Sequence, residues 1–291
     1  MNNSLLSGVD IGGSHITAAL VDMHNGKIIA GTLQRRDVDA MGNVEDIIYA
    51  WAGAIRDSWK GQQKPASVGI AMPGPFDYSE GISLIKGQYK YEALYGLNIR
   101  KLLASALDIS ASGIVFTNDA AGFLMGEVFA GAAKGYDSVI GITLGTGLGS
   151  SLFRQGITTD ADLWCSPFEE SIAEDYLSTR WFIQRYFELT GSPIKNVKEL
   201  VSQSNREAVQ TVFNEFGNQF GKFLVPVIQR EETEMVILGG SISKVYHLFS
   251  DGLNAYLQSH GSTVKIRISA LGEQAALVGA ASACQQESLA E

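Results

Sequence analysis

The sequence contains the same pattern of strand, glycine turn and strand twice. It reads "VDIGGSHITAALVD" at residues 9–22 and "SVIGITLGTGLGSSLFRQG" at residues 138–156. In both, a short apolar run ends at glycines and is followed by small and β-branched residues, which predicts a β-hairpin with glycine at its tip. Such glycines allow positive φ and let a ligand approach the backbone closely. Two similar hairpins in the two halves of a chain indicate a duplicated core.

Neither turn matches two familiar glycine loops that bind phosphate. The first turn has no lysine followed by Ser or Thr, which a Walker loop requires. A strand rather than a helix follows it, which excludes a dinucleotide-binding fingerprint. The second turn has Ser150 where the third glycine of that fingerprint would stand. On the first stretch alone, a plain hairpin with a surface carboxylate at Asp10 is an equally good interpretation.

Strand patterns alternate with helical patterns between and after the hairpins. The runs "ASVGIAMPGPFD" and "IVFTND" predict strands, while "NVEDIIYAWAGAIRDSWKG" and "AAGFLMGEVFAGA" predict helices. We also expect a third strand in "GKIIAGTLQRRD", a mostly helical stretch at residues 167–228, and a strand in "EMVILGGSI" that ends in a third glycine turn. This order predicts an α/β fold with parallel or mixed sheets under helical cover. The expected domain boundary lies near residues 117–120.

Composition narrows the classes of function. A chain of 291 residues with 45% hydrophobic residues can form one large domain or two smaller ones. Its net charge of −9 argues against a general nucleic-acid binder, which needs a basic face. The N-terminus lacks the pattern of a signal peptide, and no apolar run reaches the roughly 18 residues of a membrane span. Two distant cysteines, Cys165 and Cys284, fit a reduced cytoplasmic setting.

Five short motifs in a fixed order carry a family resemblance. "DIGG", "PGP", "ND", "LGTGLG" and a late "GG" follow one another across nearly the whole chain. The sequence resembles the actin-like sugar kinases, in particular the ROK family. That resemblance implies two ribonuclease-H-like (actin-like ATPase) α/β domains with nucleotide and sugar in the cleft between them. The expected domains are residues 1–118, joined by a C-terminal helix at 273–291, and residues 119–272.

Two facing glycine turns can replace a lysine loop, because phosphoryl transfer depends mainly on positioning and on neutralising charge. We expect backbone N–H groups of the turns to hold the triphosphate of ATP, with Mg²⁺ bridging its phosphates. Asp10 is the natural oxygen ligand for Mg²⁺, directly or through water. The resemblance assigns the third turn to the adenosine side, although a tight strand–helix turn also explains its glycines. The expected nucleotide-binding residues are Asp10, Gly12, Gly13, Ser14, Gly145, Thr146, Gly147, Gly239 and Gly240.

The "ND" motif carries the expected chemistry on the sugar. Asn118 and Asp119 follow a strand and precede a helix, where either residue can be an N-cap. The carboxyl end of such a strand is also where α/β folds place ligands, and a kinase needs a base near the attacking hydroxyl. The resemblance makes Asp119 that base and lets Asn118 hydrogen-bond the sugar. Pro73 and Gly74, at the start of the "PGPF" loop, are further expected sugar contacts.

The sequence departs from the family after the second hairpin. Many relatives have a Gly-His pair and a cysteine-rich zinc cluster there, but "TTDADLWCSPFEESIAEDYLSTR" has one cysteine and no histidine. A structural zinc site needs about four N or S ligands, so we predict no zinc. By resemblance, the family's sugar-binding glutamate falls on Glu174, with Glu169 and Glu170 as competing registers and Asp162 as a second contact. A solvated acidic helix face is the competing interpretation.

Three further features have structural explanations beside functional ones. His15 stands where relatives often have lysine; it could contact nucleotide, but an ordinary strand position is favoured. Tyr89, Tyr91 and Tyr95 could form a sugar-stacking surface or a rim of ordinary surface aromatics. Helical spacing of four aromatic residues predicts a core stripe made of Phe213, Phe216, Phe220 and Phe223.

Taken together, these features predict ATP-dependent phosphorylation of a hexose hydroxyl, on glucose or a related sugar. Two alternatives stay open: a sugar-binding regulator without catalysis, and an actin-like ATPase acting on a non-sugar substrate. No nucleic-acid or membrane partner is expected, and the nine residues before Asp10 are too few for the DNA-binding segment of related repressors. A homodimer is expected by resemblance only.

Overall fold

A computed structural model describes residues 4–290 of the chain and the side chains of residues 4–285. Residues 1–3 and residue 291 lie outside the described residues. They form the ends of the predicted domains, and residues 1–3 also belong to the N-terminus that lacks a signal-peptide pattern. The described chain divides into two compact units. The first contains the residues up to Lys134 together with those from Glu273 onward, and the second is Gly135–Gly272. Each helix within residues 4–290 is too short or too polar to span a lipid bilayer.

Strands and helices alternate in the first unit. Its strands are β1 (Leu5–Ile11), β2 (His15–Asp22), β3 (Lys27–Ile28), β4 (Gln34–Asp37), β5 (Val68–Met72), β6 (Phe76–Asp77), β7 (Ile82–Ser83) and β8 (Ile114–Asn118). Its helices are α1 (Val44–Ser58), α2 (Ile99–Leu107), α3 (Asp119–Ala130) and α10 (Ala275–Ala290).

The second unit follows the same principle with a longer helical insertion. Its strands are β9 (Ser138–Leu144), β10 (Leu148–Arg154), β11 (Ile157–Asp160), β12 (Pro167–Phe168), β13 (Ser171–Ile172), β14 (Met235–Gly239) and β15 (Lys265–Ile268). Its helices are α4 (Ala173–Tyr176), α5 (Thr179–Thr190), α6 (Val197–Val201), α7 (Arg206–Glu231), α8 (Gly240–Ser243) and α9 (Ser250–Ser259).

The sheet of the first unit places the predicted motifs at one edge. Its strand order is β3–β2–β1–β5–β8, with β4 also pairing with β2. Strands β1 and β2 form the antiparallel hairpin, while β1, β5 and β8 run parallel. In the register, Asp10 lies opposite Ala71, and Met72 lies opposite Asn118. Because the carboxyl ends of parallel strands meet at one edge, Asp10, the loop after Met72 and Asn118 share that edge.

The sheet of the second unit repeats this arrangement. Its order is β11–β10–β9–β14–β15, with β9 and β10 as an antiparallel hairpin and β9, β14 and β15 parallel. Gly239 lies opposite Thr143, so the third glycine turn stands beside the second hairpin. Both sheets therefore combine a glycine-tipped hairpin with parallel strands, as the duplicated pattern in the sequence predicts.

The aromatic stripe of α7 lies in the core of the second unit, as its spacing predicts. Phe216 and Phe220 are fully buried, and the ring centroid of Phe216 lies 4.5 Å from that of Phe182 and 5.1 Å from that of Phe249. Gly217 on the same helix faces the backbone of Phe249, where any side chain would overlap the carbonyl oxygen. Helices α7 and α9 therefore approach each other closely around this stripe.

Helix α10 packs directly on the first sheet and on α3. A methyl group at Gly8 would overlap the carbonyl oxygen of Leu277, and one at Gly279 would overlap that of Gly122. These contacts between backbones hold α3 in the first unit. The predicted boundary near residues 117–120 therefore falls inside the first unit, which continues to Lys134. The local pattern could not reveal this, because the partner helix comes from the other end of the chain.

Two predicted elements differ in detail from the structure. The single strand predicted in "GKIIAGTLQRRD" is two strands, β3 and β4. Gly31 between them has φ of +80°, and the N–H of Thr32 donates to the carbonyl of Ile29 at 3.2 Å, so the chain turns there. The stretch at residues 167–228 is mostly helical, as predicted, but it begins with the short hairpin β12–β13.

Candidate functional site

The first glycine turn leaves two backbone donors exposed. The N–H of Gly12 donates to the carbonyl of His15 at 2.9 Å and closes the turn. Gly13 and Ser14 are exposed, and within residues 4–290 their N–H groups have no hydrogen-bond partner. Of the three expected donors, Gly12 is used inside the turn, while Gly13 and Ser14 are available to an anion.

Asp10 stands at the end of β1 beside this turn. Burial and, as a second cause, the negative charge of Asp119 raise the pKa of its carboxyl from 3.8 to about 6. The guanidinium of Arg35 acts in the opposite direction. Asp10 and Asp119 are therefore close enough for their charges to repel each other. An isolated surface carboxylate, the alternative interpretation of the first stretch, would not have such a pKa.

Asn118 and Asp119 have different roles at the end of β8. Asn118 is the N-cap of α3, since its Oδ1 accepts from the N–H groups of Ala120 and Ala121 at 2.8 and 3.1 Å. The side chain of Asp119 is exposed. Partial desolvation by the surrounding protein nevertheless raises the pKa of Asp119, while a hydrogen bond from Ala120 and the charge of Lys90 lower it. A general base requires such an accessible carboxylate with a raised pKa.

The "PGP" loop is tied to the same strand ends through Tyr78. The amide nitrogen of Asn118 donates to the Tyr78 hydroxyl at 3.3 Å, and that hydroxyl donates to the carbonyl of Met72 at 3.0 Å. Met72 precedes Pro73, and a methyl group on Gly74 would lie 3.4 Å from the same hydroxyl. The structure therefore brings Pro73 and Gly74 next to the "ND" motif.

Tyr91 supports the first turn, so its expected place on the surface is wrong. It is fully buried, and its ring packs edge-on against Trp51 with 5.1 Å between centroids. Its hydroxyl donates to the carbonyl of Gly12 at 2.6 Å. Burial raises the pKa of Tyr91 to about 12, so the hydroxyl stays protonated and donates. Tyr89 and Tyr95 are exposed, as expected of surface aromatics.

The first cluster consists of the carboxylates of Asp10 and Asp119, the exposed N–H groups of Gly13 and Ser14, and two cations that no motif marks. The charge of Arg35 acts on Asp10, and the charge of Lys90 acts on Asp119. Neither residue has a signature in the sequence, because each comes from a loop or an edge strand and reaches the cluster only through the tertiary fold. Together with the two carboxylates and the exposed N–H groups, they form the candidate site of the first unit.

The second glycine turn repeats the pattern of donors within its own unit. The N–H of Gly145 donates to the carbonyl of Gly147 at 3.0 Å, and the carbonyl of Gly145 accepts from the N–H and the hydroxyl of Thr179, both at 2.8 Å. The N–H groups of Thr146 and Gly147 have no hydrogen-bond partner in the described chain. This turn also offers two backbone donors to an anion.

Glu174 lies against the second turn. Its Oε2 accepts from the N–H of Leu148 at 3.1 Å, and a methyl group on Gly147 would lie 2.6 Å from the same oxygen. Its Oε1 is 3.7 Å from a guanidinium nitrogen of Arg180. The predicted sugar-side glutamate and the predicted phosphate turn are thus in direct contact.

The other acidic candidates have different surroundings. Glu169 forms an ion pair with Lys222 at 2.7 Å, and Glu170 is exposed. Asp162 is exposed, has φ of +47°, and accepts from the indole N–H of Trp164 at 3.4 Å. Among the described residues, Glu174 is therefore the acidic candidate that hydrogen-bonds the second turn.

The third glycine turn adjoins the second. Gly240 has φ of +81°, and any side chain there would overlap the carbonyl oxygen of Leu144 at the end of β9. A methyl group on Gly145 would lie 3.8 Å from the hydroxyl of Ser241, and Gly239 ends β14 as the N-cap of α8. The two turns and Glu174 form the candidate site of the second unit.

The carboxylate of Asp10 is the side chain of the first unit that could hold a Mg²⁺ ion. Within the described residues, no group of three or more His, Cys, Asp or Glu side chains is placed to hold a metal ion. Mg²⁺ commonly takes one or two carboxylates and completes its shell with phosphate oxygens and water. Asp10 meets this requirement, because its carboxylate is made costly by burial and by Asp119, and a divalent cation would relieve that cost.

A cavity of about 600 Å³ in the second unit is a separate feature. Its charged lining is internally paired: Arg185 with Glu215 at 2.6 Å and Arg180 with Asp175 at 2.7 Å. None of the residues predicted to bind sugar or nucleotide lines it. The candidate site therefore consists of the glycine turns and strand ends rather than this cavity.

A duplicated α/β core with glycine-tipped hairpins and carboxylates at the strand ends defines the class of actin-like ATPases. Within that class, a sequence model of the ROK family matches residues 6–161 and 165–287. The chain therefore belongs to the ROK family. The match is interrupted at residues 162–164, inside the segment for which we predict no zinc.

Individual relatives match over almost their whole length. The chain is 26% identical to the glucokinase of Thermotoga maritima, over 95% of this chain and 96% of that enzyme. It is 22% identical to the N-acetyl-D-glucosamine kinase of Pectobacterium atrosepticum, over 94% and 97% respectively. The crystal structure of a ROK family glucokinase from Streptomyces griseus, in complex with glucose and AMPPNP, is similar with a TM-score of 0.77 at 23% identity, over 97% of this chain and 99% of that one. This likeness confirms the predicted fold class.

Proposed function

We propose that this protein is an ATP-dependent kinase that phosphorylates a hydroxyl of glucose or a related sugar. The observation that carries the proposal is the first cluster. It combines the exposed N–H groups of Gly13 and Ser14, the carboxylate of Asp10 and the accessible carboxylate of Asp119. The names of the relatives, a glucokinase and an N-acetyl-D-glucosamine kinase, support a sugar as the acceptor.

Asp119 is the general base of the proposed reaction. It takes the proton of the sugar hydroxyl as the hydroxyl oxygen bonds to the γ-phosphorus. The bond from that phosphorus to the β,γ-bridging oxygen breaks, and ADP leaves with the electron pair. The raised pKa makes Asp119 a stronger base than an ordinary aspartate. Asn118 and the "PGP" loop, which Tyr78 joins, orient the sugar beside it.

The backbone donors of the turns bind the phosphates. Gly13 and Ser14 provide two N–H groups in the first unit, and Thr146 and Gly147 provide two in the second. Gly239 and Gly240 allow the adenosine to approach the backbone. When bound, Mg²⁺ neutralises charge on the phosphates, and Asp10 is the side chain that would hold it. Glu174 is proposed as the sugar contact of the second unit, and Asp162 as a second contact.

The direct test is ADP release from Mg·ATP with a panel of hexoses, N-acetylhexosamines and fructose, and a control without sugar. Strong stimulation by one sugar supports the proposal and identifies the acceptor. ATP turnover that no sugar changes indicates an ATPase with a non-sugar substrate. Sugar binding in a calorimeter without ADP release indicates a sugar-binding regulator, and either of these last results contradicts the kinase proposal.

Replacing Asp119 tests the assignment of the base. We expect Asp119→Asn to lower kcat by about 10²–10⁴-fold with little change in the KM for sugar, because the variant keeps shape and hydrogen bonding but accepts no proton. Asp108→Asn is a matched control: Asp108 is exposed and has φ of +54°, a conformation that Asn also adopts. An Asp119→Asn protein with near-normal kcat would remove Asp119 from the mechanism.

A further inference from the structure

The first turn needs positive charge that its nearest side chain does not supply. The imidazole of His15 lies against the turn, since a methyl group on Gly12 would be 2.7 Å from His15 Cε1. Burial and then the charge of Arg35 lower the pKa of His15 below 6.5, so the ring is uncharged at neutral pH. Asp10 and Asp119 bring two carboxylates to the same place. A polyanionic phosphate would therefore meet a net negative cluster unless another cation reaches it.

Lys90 reaches the first turn from a distant loop. A methyl group on Gly13 would lie 3.8 Å from Cδ of Lys90, so the aliphatic stem of the lysine passes over the turn. Its ammonium group is near enough to Asp119 to lower the pKa of that carboxyl. Lys90 is half-buried, and within residues 4–290 its ammonium group has no hydrogen bond or ion pair. This ammonium is therefore available to a ligand.

The backbone on both sides fixes Lys90 over the turn. Tyr91 is buried, has φ of +52°, and is bonded through its hydroxyl to the carbonyl of Gly12. Tyr89 has φ of +54°, and its N–H donates to a side-chain oxygen of Glu92 at 3.0 Å. Bulky residues keep a positive φ only where the surroundings hold them there. Lys90 therefore stands between two constrained residues rather than on a loose loop.

We propose that Lys90 is a further catalytic residue, whose ammonium group binds the phosphoryl group as it passes between the first turn and Asp119. This inference rests on the proposed function. In the transfer, the hydroxyl oxygen bonds to the γ-phosphorus, the bond to the bridging oxygen breaks, the proton goes to Asp119, and ADP leaves with the electron pair. Lys90 keeps its own protons and offsets the negative charge that the transferring group brings close to Asp119.

Arg35 does not take this role. Its charge acts on Asp10 and His15. Lys90 is the cation whose stem contacts the turn and whose charge acts on the base. Lys90 is therefore the cation proposed for the transferred group, whereas Arg35 balances the carboxylate of Asp10.

Three variants test the proposal: Lys90→Met, which keeps an unbranched stem without charge; Lys90→Arg, which keeps the charge; and Lys86→Met as a matched control. Lys86 lies in the same loop but is exposed, with its ammonium 5.0 Å from the ring centroid of Tyr95. Two readouts are needed: kcat and KM of sugar phosphorylation, and the affinity for inorganic tripolyphosphate by calorimetry, which requires no turnover. Circular dichroism and Tm show whether each variant is folded, and Lys90→Gln replaces Lys90→Met if the latter is not.

We expect Lys90→Met to lower kcat by about 10²–10³-fold, because it removes a charged donor to the transition state. The affinity for tripolyphosphate falls by about tenfold, as for the loss of one charge-assisted hydrogen bond. The KM for sugar changes little, Lys90→Arg recovers part of both losses, and Lys86→Met stays within about twofold of the wild type in the range of surface substitutions.

A folded Lys90→Met protein with wild-type kcat or wild-type affinity for tripolyphosphate would overturn the proposal. Equal losses in Lys86→Met would also overturn it, because they would show a general effect of charge in the loop. If the wild type phosphorylates no sugar in the panel, the proposed function fails, and the calorimetric comparison still decides whether Lys90 binds phosphate.

Discussion

The ionisation of the Asp10 carboxyl is subject to two opposing requirements. Burial and the nearby charge of Asp119 disfavour its ionised form, which is why the pKa of its carboxyl rises to about 6. The proposed contact with Mg²⁺ needs that same ionised form, since a metal ligand of this kind is a carboxylate. Without a bound cation, the ionised carboxylate therefore destabilises the folded protein, and bound Mg²⁺ would restore the balance. This is the kind of conflict expected where a residue is kept for function rather than for stability.

Asp10→Asn is expected to stabilise the metal-free protein at high pH. The folded pKa of about 6 lies above the ordinary value of 3.8, so the folded state binds the extra proton. The stability that this proton contributes is complete below pH 3.8 and is lost as the pH rises through 6. We expect the variant to gain roughly 1–2 kcal/mol in free energy of unfolding at about pH 8 and almost nothing at about pH 4.

Urea unfolding of wild type and variant at the two pH values, in the presence of a chelator, measures this difference. Asp108→Asn is the control, because the side chain of Asp108 is fully exposed. A gain for Asp10→Asn that is the same at both pH values would show that the carboxyl of Asp10 is not strained in the folded protein.

At the scale of elements, glycines allow α10 to lie directly on its neighbours. Side chains at Gly8 or Gly69 would overlap carbonyl oxygens of α10, and a side chain at Gly126 of α3 would overlap that of Ala275. The helix therefore contacts β1, β5 and α3 through backbone atoms. Asp10 lies near the end of β1, the "PGP" loop follows β5, and α3 begins at Asp119. The packing of α10 thus holds the three elements that carry the first cluster.

Gly279→Ala tests this contact. Alanine is the better helix former by about 1 kcal/mol, but its methyl group would overlap the carbonyl oxygen of Gly122 and force α10 away from α3. We expect a net loss of about 1–3 kcal/mol in free energy of unfolding, as for other overpacked cores. Ser282→Ala on the same buried helix is the control, with a loss within about 1 kcal/mol for one hydrogen bond. A stabilised Gly279→Ala protein, measured by urea unfolding, would contradict the close contact.

The elements could be predicted from the sequence to the extent that their signals are local. The hairpins, the α7 stripe and the N-cap at Asn118 each depend on neighbouring residues, and the structure contains them. The break between β3 and β4 was missed, because a lone Gly31 is weak evidence against a strand. The limit of the first unit was misplaced, because the backbone contact between α3 and α10 joins opposite ends of the sequence.

The candidate site, like the elements, could be predicted only where its residues carry a local sequence signal. The motifs identify Asp10, Asn118 and Asp119 as candidate site residues. In the structure they share one sheet edge, because parallel strands align their carboxyl ends. Lys90 and Tyr91 could not be found in this way, because they lie in a loop whose positive φ values have no glycine to signal them. Both interpretations of Tyr91 from the sequence place it on the surface, whereas its hydroxyl donates to the carbonyl of Gly12, 79 positions away. Such contacts depend on the assembled core and not on any local pattern.

At the scale of the whole molecule, aromatic packing and an ion pair hold the segment of the second unit for which we predict no zinc. The hairpin β12–β13 is anchored by Phe168, whose ring centroid lies 5.5 Å from that of Tyr176 and 5.7 Å from that of Phe223. Glu169 at its tip forms the ion pair with Lys222 of α7. Edge-on aromatic pairs add to the burial of the ring itself. Glu174 follows the hairpin directly, so this packing also positions the glutamate that contacts the second turn.

Removing metals should therefore separate activity from stability. We expect a chelator to abolish sugar-dependent ADP release, because the proposed binding of the triphosphate by an acidic protein with a net charge of −9 depends on Mg²⁺ as well as on backbone donors. Added Mg²⁺ restores it. In the absence of nucleotide and of added Mg²⁺, chelation should leave the Tm unchanged. Phe168→Ala, in contrast, should lower the free energy of unfolding by about 3–5 kcal/mol, as for other buried phenylalanines. A large fall in Tm on chelation, reversed by Zn²⁺ and not by Mg²⁺, would show that a structural metal holds this region. The aromatic anchor would then be secondary, and the position of Glu174 would depend on that metal.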